Sequence, residues 1–247
     1  MAIKAPNVGK WGKHQHLIKD EFLLEHLPRT QLFTPEGLWE YAETYKRVML
    51  KPSGGGGGAG IIQLTSKGED QYLVHAGSSR RVVEGKEKTV QYVKSLFRPK
   101  PYLLQPRIPL GQIDGKPFDV RVMVQRVNKK SPWIITGWVA KVAGAGYVVT
   151  NVARSRGRVL PIRTAIRQSN VPPSMYLLPE VRKVSLAAAN CLGKAYPSLR
   201  EIGLDLGIDI HAKPWIIEAN FRPSLSLFRQ LEDQTFYRRI RAMKAKY

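Results

Sequence analysis

Two apolar segments near the C-terminal end carry acidic residues in a pattern that decides the fold: Gly203-Leu204-Asp205-Leu206-Gly207-Ile208-Asp209-Ile210 and Trp215-Ile216-Ile217-Glu218-Ala219-Asn220. The short stretch between them predicts a β-hairpin with its turn near His211 and Ala212. This turn places Asp205 directly opposite Glu218, and strand alternation puts Asn220 on the same face. Apolar residues are expected on the other face: Leu204, Leu206, Ile217 and Ala219.

Three oxygen donors on one rigid face suit Mg²⁺, which takes few protein ligands and completes its shell with phosphates and water. We therefore predict a metal site at Asp205, Glu218 and Asn220. Asp209 shares that face but lies about 13 Å farther along, at roughly 3.3 Å per residue. The alternative is the polar solvent face of an amphipathic hairpin. Asn and Asp are poor strand residues, so the pattern alone leaves both interpretations open.

A second motif is the glycine run 54–58, which follows Lys51-Pro52-Ser53 and precedes Ala59-Gly60. Glycines let backbone N–H groups approach phosphates closely, and the lysine before them supplies a positive charge. A Walker loop is excluded because neither Gly-Lys-Ser/Thr nor a helix follows the run, and a dinucleotide fingerprint also requires that helix. The motif predicts either a flexible hairpin connection or a lid over phosphates.

A third group joins Asp119-Val120-Arg121, on a long predicted strand, to Lys141 and Asn151 on the strands that follow. Cations at such positions either hold the oxygens of a transferring phosphoryl group or form an ordinary salt bridge between strands. The residues alone do not decide between these interpretations.

The remaining pattern predicts an α+β protein, because strands and helices do not alternate as βαβ units. Thr34-Pro35 predicts a helix start, with a capping side chain before a proline at the first helical position. Helices are predicted at 13–26, 35–45, 87–97 and 178–196, with a basic helix at the C-terminus. Strands are predicted at 48–51, 61–64, 71–74, 102–105, 118–127, 133–142, 147–152, 203–210 and 215–219.

Charge is the unusual feature of the composition. Forty Lys and Arg against nineteen Asp and Glu give a net charge of +21, which indicates either a polyanionic partner or a solvated basic surface. The modest basic clusters are Arg154 to Arg158 and Arg238 to Arg241. The single cysteine, Cys191, excludes a disulfide within the chain. With no apolar run long enough to span a membrane and no signal peptide, a cytoplasmic location is expected.

The order of these motifs resembles that of the ATP-grasp superfamily, and within it the chain resembles the YheC/YheD group of endospore coat-associated proteins of Bacillus-like bacteria. The resemblance covers roughly residues 8–230. It rests on these segments: Phe33-Thr34-Pro35-Glu36, Lys51-Pro52, Gly58-Ala59-Gly60-Ile61-Ile62, Phe118-Asp119-Val120-Arg121-Val122, Thr150-Asn151 and Ile217-Glu218-Ala219-Asn220. It implies an α+β ATP-grasp fold with the nucleotide between the antiparallel sheets of two subdomains, 1–106 with the lid and 107–247 with the metal-binding hairpin.

The resemblance also implies a Mg-ATP-dependent carboxylate–amine ligase that acts through an acyl-phosphate, with ATP and Mg²⁺ as cofactors. The implied nucleotide contacts are Lys51 on the α/β phosphates, the loop members Ser53, Gly54, Gly58 and Gly60 over the β/γ phosphates, and the hinge of Gln105, Arg107 and Ile108 at the adenine edge. The implied catalytic residues are Arg121, Lys141 and Asn151. The implied metal ligands are Asp205, Glu218 and Asn220. Lys10 or Lys13 is expected as a further phosphate contact, and the choice between them stays open.

Two departures from the group concern the acceptor side: Lys141 replaces an arginine, and Asn151 is not followed by a Gly-Gly pair. The expected partners are a small-molecule or peptide carboxylate and an amine, together with an anionic acceptor or polyanion. The acceptor and the oligomeric state stay open. The chain starts at the ATP-grasp core, so the extra N-terminal domain of longer relatives is expected to be absent. The alternative function is a basic protein of the spore that binds nucleotide or polyanion with little or no catalysis.

Overall fold

A computed structural model describes residues 9–144 and 157–247. Its helices are α1 (Lys10–Leu17), α2 (Glu21–Leu24), α3 (Pro35–Tyr45), α4 (Lys86–Ser95), α5 (Ile162–Gln168), α6 (Leu177–Ala195), α7 (Ser226–Arg229) and α8 (Thr235–Lys244). Its strands are β1 (Gln31–Leu32), β2 (Arg47–Pro52), β3 (Ile62–Gly68), β4 (Gln71–Ala76), β5 (Ser79–Glu84), β6 (Tyr102–Pro106), β7 (Gln112–Ile113), β8 (Lys116–Gln125), β9 (Ile134–Val142), β10 (Arg158–Leu160), β11 (Glu201–Ile208) and β12 (Pro214–Asn220).

The strands form two antiparallel sheets. The first has the order β1-β6-β2-β3-β4-β5, and the second has the order β10-β9-β8-β11-β12 with β7 paired to β8. Helices and sheets are mixed without βαβ alternation, which confirms the predicted α+β class. The predicted strand 147–152 lies outside the described residues. The short strands β1, β7 and β10 and the edge strand β5 were not predicted.

Each sheet covers its own apolar core. The first core lies between the first sheet and helices α3 and α4, with Leu38, Leu50 and Val93 at its centre. The second and larger core packs the second sheet against α6, and Leu17 and Leu23 from the N-terminal helices join it. The first sheet therefore lies within residues 31–106, whereas α1 and α2 pack on the second sheet. A division of the chain at residue 106 stays a prediction.

Local capping explains where the early helices begin and end. The Thr34 hydroxyl accepts a hydrogen bond from Gly37 N at 3.0 Å, with Pro35 at the first position of α3, as predicted. The single helix predicted at 13–26 is wrong. The chain leaves the helix after Leu17, and Asp20 starts a new one by accepting a bond from Leu23 N at 3.2 Å. None of the helices described is long and apolar enough to cross a membrane.

The β11–β12 hairpin has the predicted register, with Asp205 opposite Glu218. The Asp209 carboxylate holds the turn by accepting bonds from His211 N, Lys213 N and the Trp215 indole at 2.8–2.9 Å. A bulge follows: Leu206 pairs with Ile216, which leaves Ile217 as the extra residue of β12. Ile216 is buried in the core and Ile217 lines a cavity on the opposite face. The predicted facing of Ile217 is therefore wrong.

Gly137 on β9 tests how tightly the C-terminal helices pack on the second sheet. A Cβ there would lie 3.0 Å from side-chain atoms of Ile240, Phe228 and Phe236. We expect Gly137→Ala to lower the free energy of unfolding by about 1–3 kcal/mol, because a close-packed core has no room for a methyl group. Urea denaturation measures the change. The control is Gly56→Ala, where a Cβ meets nothing within 4 Å. Equal stability of the two variants would contradict the tight packing.

Candidate active site

A cavity of about 320 Å³ lies between the two sheets. Ten of the residues that the sequence predicted for a site line it: Lys51, Gly58, Gln105, Arg107, Ile108, Arg121, Lys141, Asp205, Glu218 and Asn220. Ser53, Gly54 and Gly60 do not line it, although they belong to the glycine loop above it. Asn151 lies outside the described residues, as do Arg154 and Arg156. Arg158 instead pairs with Asp114 at 2.9 Å on the surface.

The floor of the cavity is a buried cluster of four charges from neighbouring strands. Arg121 makes two bonds to the Asp205 carboxylate, from Nε to Oδ1 at 2.7 Å and from Nη2 to Oδ2 at 2.9 Å. Lys141 Nζ lies 2.8 Å from Asp205 Oδ1 and 2.9 Å from Asp119 Oδ1. The sheet register creates these pairs, because Arg121 is opposite Asp205 and Asp119 is opposite Lys141.

The pKa values show which charge states this cluster favours. Burial alone would raise the pKa of Asp205, but Arg121 and Lys141 outweigh burial and hold it well below its usual range. Burial would likewise lower the pKa of Lys141, yet Asp119 and Asp205 reverse the effect and raise it. Asp205, Arg121 and Lys141 are therefore charged at neutral pH, and Asp119 lies beside Lys141 as the second carboxylate of the cluster.

The predicted metal ligands lie side by side on this face. Asn220 Nδ2 donates to Asp205 Oδ2 at 3.3 Å, and Glu218 is the strand partner of Asp205. In the part of the chain that the structure describes, no three His, Cys, Asp or Glu side chains gather as metal ligands do. Two carboxylates and one amide match a hard divalent cation that takes its other ligands from phosphates and water. Each carboxylate already has a cationic partner, which an arriving metal would have to displace or share.

Lys10 supplies the cationic partner of Glu218. Its Nζ lies 2.9 Å from Glu218 Oε1 and also donates to the carbonyl oxygen of Gly55 at 2.9 Å. Lys13 instead donates to the Ala219 carbonyl at 2.7 Å and lies over the Phe221 ring. Of the two candidate lysines, Lys10 is thus the one that joins the glycine loop to a predicted metal ligand.

The glycine loop is held at both ends, and Lys10 is the one described side-chain anchor of its middle. Ser53 O accepts from Lys10 N at 2.6 Å, and Ser53 Oγ accepts from Trp11 N at 3.3 Å. At the other end, Tyr102 donates to Gly60 O at 3.1 Å, and Gly60 has a φ of +77° that only glycine adopts easily. Gly57 and Gly58 between these anchors reach the cavity. Below them, burial lowers the pKa of Lys51 to about 8.

Another wall of the cavity is formed by the end of β6 and the segment that follows it. Gln105 is buried there and donates from Nε2 to the Thr30 hydroxyl at 2.8 Å. Its Oε1 atom has no hydrogen-bond partner among residues 9–144 and 157–247. A buried amide oxygen without a partner is costly, so this wall offers an unused acceptor to a ligand.

Several residues of the cavity wall were not assigned to the site from the sequence, among them Met49, Ile217, Arg222 and Ser224. Met49 and Ile217 provide apolar surface. Arg222 and Ser224 are polar and lie two and four residues after Asn220. Met49 could have been found by alternation from Lys51 on the same strand. Ile217 could not, because it reaches the cavity only through the bulge.

Comparison with known proteins places the chain in a family. The family model described as "YheC/D like ATP-grasp" matches residues 2–247. The chain belongs to this YheC/D-like ATP-grasp family. The chain is 30% identical to the endospore coat-associated protein YheD of Bacillus subtilis (strain 168) over 229 residues, 89% of this chain and 49% of YheD. It is 24% identical to YheC of the same strain, over 87% of this chain and 59% of YheC. The chain thus spans about half the length of these relatives.

Solved structures show the same fold at low sequence identity. The ATP-grasp ligase PsnB, complexed with a minimal precursor, matches with a TM-score of 0.55 and 16% identity, over 98% of this chain and 61% of PsnB. The D-cycloserine synthetase DcsG matches with a TM-score of 0.55 and 12% identity, over 98% of this chain and 71% of DcsG. The YheC/D-like chain therefore has the ATP-grasp fold that its motifs predicted.

Asp205→Asn tests the buried cluster. It leaves Arg121 and Lys141 short of a counter-charge, so we expect the free energy of unfolding at pH 7 to fall by about 3–5 kcal/mol. Because the folded pKa of Asp205 is depressed, its contribution is present above the ordinary pKa of about 3.9 and is lost as the pH falls below it. The difference in the free energy of unfolding between parent and variant, measured by urea denaturation, should therefore become smaller at acidic pH. The exposed Glu232→Gln is the control, and equal stability of all three proteins would refute the cluster's role.

Lys10→Met tests the link between the glycine loop and Glu218. Removing the ammonium group breaks the bond to Gly55 O and the ion pair with Glu218. We expect faster amide hydrogen exchange over residues 53–60, because the middle of the loop loses its only described side-chain anchor. Lys19→Met, an exposed change beyond the end of α1, serves as the control. Unchanged hydrogen exchange in the loop of Lys10→Met would show that the contacts of Lys10 do not restrain the loop.

Proposed function

We propose that this YheC/D-like ATP-grasp protein is a Mg-ATP-dependent ligase that joins a carboxylate to an amine through an acyl-phosphate. The observation that carries the proposal is the convergence on one cavity of a lysine before a glycine loop, a buried cationic pair and an oxygen-donor face. The named functions of fold neighbours add support: PsnB is called an ATP-grasp ligase, and its structures include complexes with Mg and ADP. The nucleotide would lie between subdomains 1–106 and 107–247.

The chain's own residues supply binding groups along the length of the cavity. The segment Gln105 to Ile108 would meet the base, with the unused Gln105 oxygen as an acceptor for an exocyclic amino group. Lys51 would contact the α/β phosphates, and the loop around Gly58 would cover the β/γ phosphates. A phosphate beside Lys51 favours its ammonium form, which offsets the burial that now lowers the pKa of Lys51 to about 8.

The metal and the catalytic cations are linked in this proposal. Asp205, Glu218 and Asn220 would hold Mg²⁺, which when bound neutralises phosphate charge and orients the phosphoryl group. In the structure Asp205 neutralises Arg121 and Lys141. If Asp205 bound a metal, Arg121 would lose its carboxylate partner and Lys141 would keep only Asp119, so both cations would become more available to the oxygens of the phosphoryl group. The metal ligand and the catalytic pair therefore cannot be assigned independently of each other.

The reaction needs no nucleophile from the chain. An oxygen of the substrate carboxylate attacks the γ-phosphorus, the bond to the bridging oxygen breaks, and ADP leaves. The amine nitrogen then attacks the acyl carbon, phosphate leaves, and the nitrogen loses one proton. Arg121 and Lys141 would stabilise the negative charge on the oxygens during both steps, so that positioning and electrostatics provide the catalysis.

The proposal also covers the carboxylate substrate and the association of the protein with the spore. The PsnB structures include one with a precursor peptide and AMPPNP, and on that ground we include peptide carboxylates beside small acids as substrates. Association with the spore is proposed from the names of YheD and YheC. A cytoplasmic location stays a prediction.

The test measures binding and turnover separately. Calorimetry of ATP binding with and without Mg²⁺ should show tighter binding with the metal in the parent and no such gain in Glu218→Gln, with Glu232→Gln as the matched control. Phosphate release and product masses are then recorded with a panel of amino acids and short peptides. Equal Mg-dependent tightening in Glu218→Gln would refute the metal site. Tight Mg-ATP binding without a ligated product from any panel member would support a nucleotide-binding protein instead.

A further inference from the structure

A row of polar and basic side chains lies on the cavity-facing side of the first sheet. Strand alternation puts Gln63, His75 and Arg80 on the face opposite the core residues Ile62 and Val74. Gln63 is the cross-strand neighbour of His75, and His75 is the neighbour of Arg80. The side chains of this row therefore lie next to each other on three strands.

Two more arginines approach the same face from β2 and β6. Arg107 N donates to the Arg47 carbonyl at 2.9 Å, which holds the two residues side by side just beyond β6. Burial and then the charge of Arg47 lower the pKa of Arg107. Burial, Arg80 and Arg107 lower the pKa of His75, against a hydrogen bond to the Gly77 backbone. The charged groups that act on His75 are thus all cationic.

These cations have no described counter-charge. The side chains of Arg47, Arg80 and Arg107 make no hydrogen bond or salt bridge to any residue that the structure describes, whereas Arg121 and Lys141 are fully paired. Like charges held close together without an acid repel one another and weaken the fold. Such an arrangement is stabilised when an anion binds among them.

His75 gives an independent sign of a ligand. Its side chain is 6% exposed, and its Nε2 atom has no hydrogen-bond partner within the described ranges. A buried ring nitrogen without a partner is unfavourable, and a ligand that pairs with it removes that cost. A protonated Nε2 would donate to an anion, and an anion would also relieve the repulsion from Arg80 and Arg107.

We propose that Arg47, His75, Arg80 and Arg107 form a second anion site, distinct from the nucleotide phosphates and built for a phosphate or carboxylate group. Three of its members, Arg47, His75 and Arg80, do not line the cavity, whereas Lys51 and Gly58 do. The site does not depend on the ligase reaction, since none of its side chains is assigned a chemical step. Arg107 alone belongs to both regions, because it also lines the cavity.

The test follows the His75 ring by proton NMR while inorganic phosphate is added to the whole chain. The ring signal is assigned by its loss in His75→Gln. A bound anion should raise the pKa of His75 by about one unit, the size of effect that an opposite charge within hydrogen-bonding reach produces. The exposed His211 should not respond. Acetate is titrated in parallel: a response to both anions assigns carboxylates as ligands too, and a response to phosphate alone restricts the site to phosphate groups.

Variants separate this site from the nucleotide site. Arg80→Gln and Arg47→Gln are exposed changes that should abolish the response of His75, whereas Lys51→Met should leave it intact. A preserved dispersion of the NMR spectrum shows that each variant is folded. A His75 signal that ignores both anions in the parent overturns the proposal. So does a response that survives Arg80→Gln or disappears in Lys51→Met, because the anion would then be binding elsewhere.

Discussion

One buried carboxylate, Asp205, constrains the whole second half of the molecule. The free-energy cost of burying its charge alone in the interior would be prohibitive. The charge is tolerated because Arg121 and Lys141 reach it from two neighbouring strands. The pairs form in one register only. A slip by one residue would turn the charged side chains into the apolar core and bring valines to the cavity. The same interaction therefore aligns the strands and builds the cavity floor.

The charge balance of the floor also decides what the cavity can accept. Arg121 and Lys141 are neutralised by Asp119 and Asp205, and Glu218 by Lys10. Among the described residues of the cavity wall, an anion entering alone meets only three cations without a described ion pair: Lys51, Arg107 and Arg222. In the proposed function Asp205 and Glu218 would bind a divalent cation, and their cationic partners would then be available to the anion. The cavity would in that case suit a metal–anion pair such as Mg-ATP better than either ion by itself.

The fold and the hairpin register were predictable because they depend on local patterns. Alternation and a polar turn were enough to place Asp205 opposite Glu218, and Thr34-Pro35 marked the start of α3. The errors concern features that depend on contacts between residues far apart in the sequence. The pattern predicts that an apolar residue in an apolar strand lies in the core. Ile217 was therefore assigned to the wrong face, because the sequence does not show the bulge. Lys10 reaches Glu218 only through the packing of α1 on β12, which no spacing along the sequence reveals. Nor could the sequence show that Arg121 and Lys141 share one carboxylate.

Arg107 makes the two proposed sites interdependent. Its backbone N donates to the Arg47 carbonyl, its side chain lines the cavity, and its charge also lowers the pKa of His75. One guanidinium cannot serve an anion in each place with full strength. If both proposed sites bind their anions, an anion in the cluster would draw the charge of Arg107 away from the cavity wall, and a nucleotide would draw it back. Linkage would make the effect reciprocal, so that each ligand would weaken the binding of the other by the same factor. The coupling would be antagonistic because the two anions would compete for one cation, and it would need no change in the backbone of either sheet.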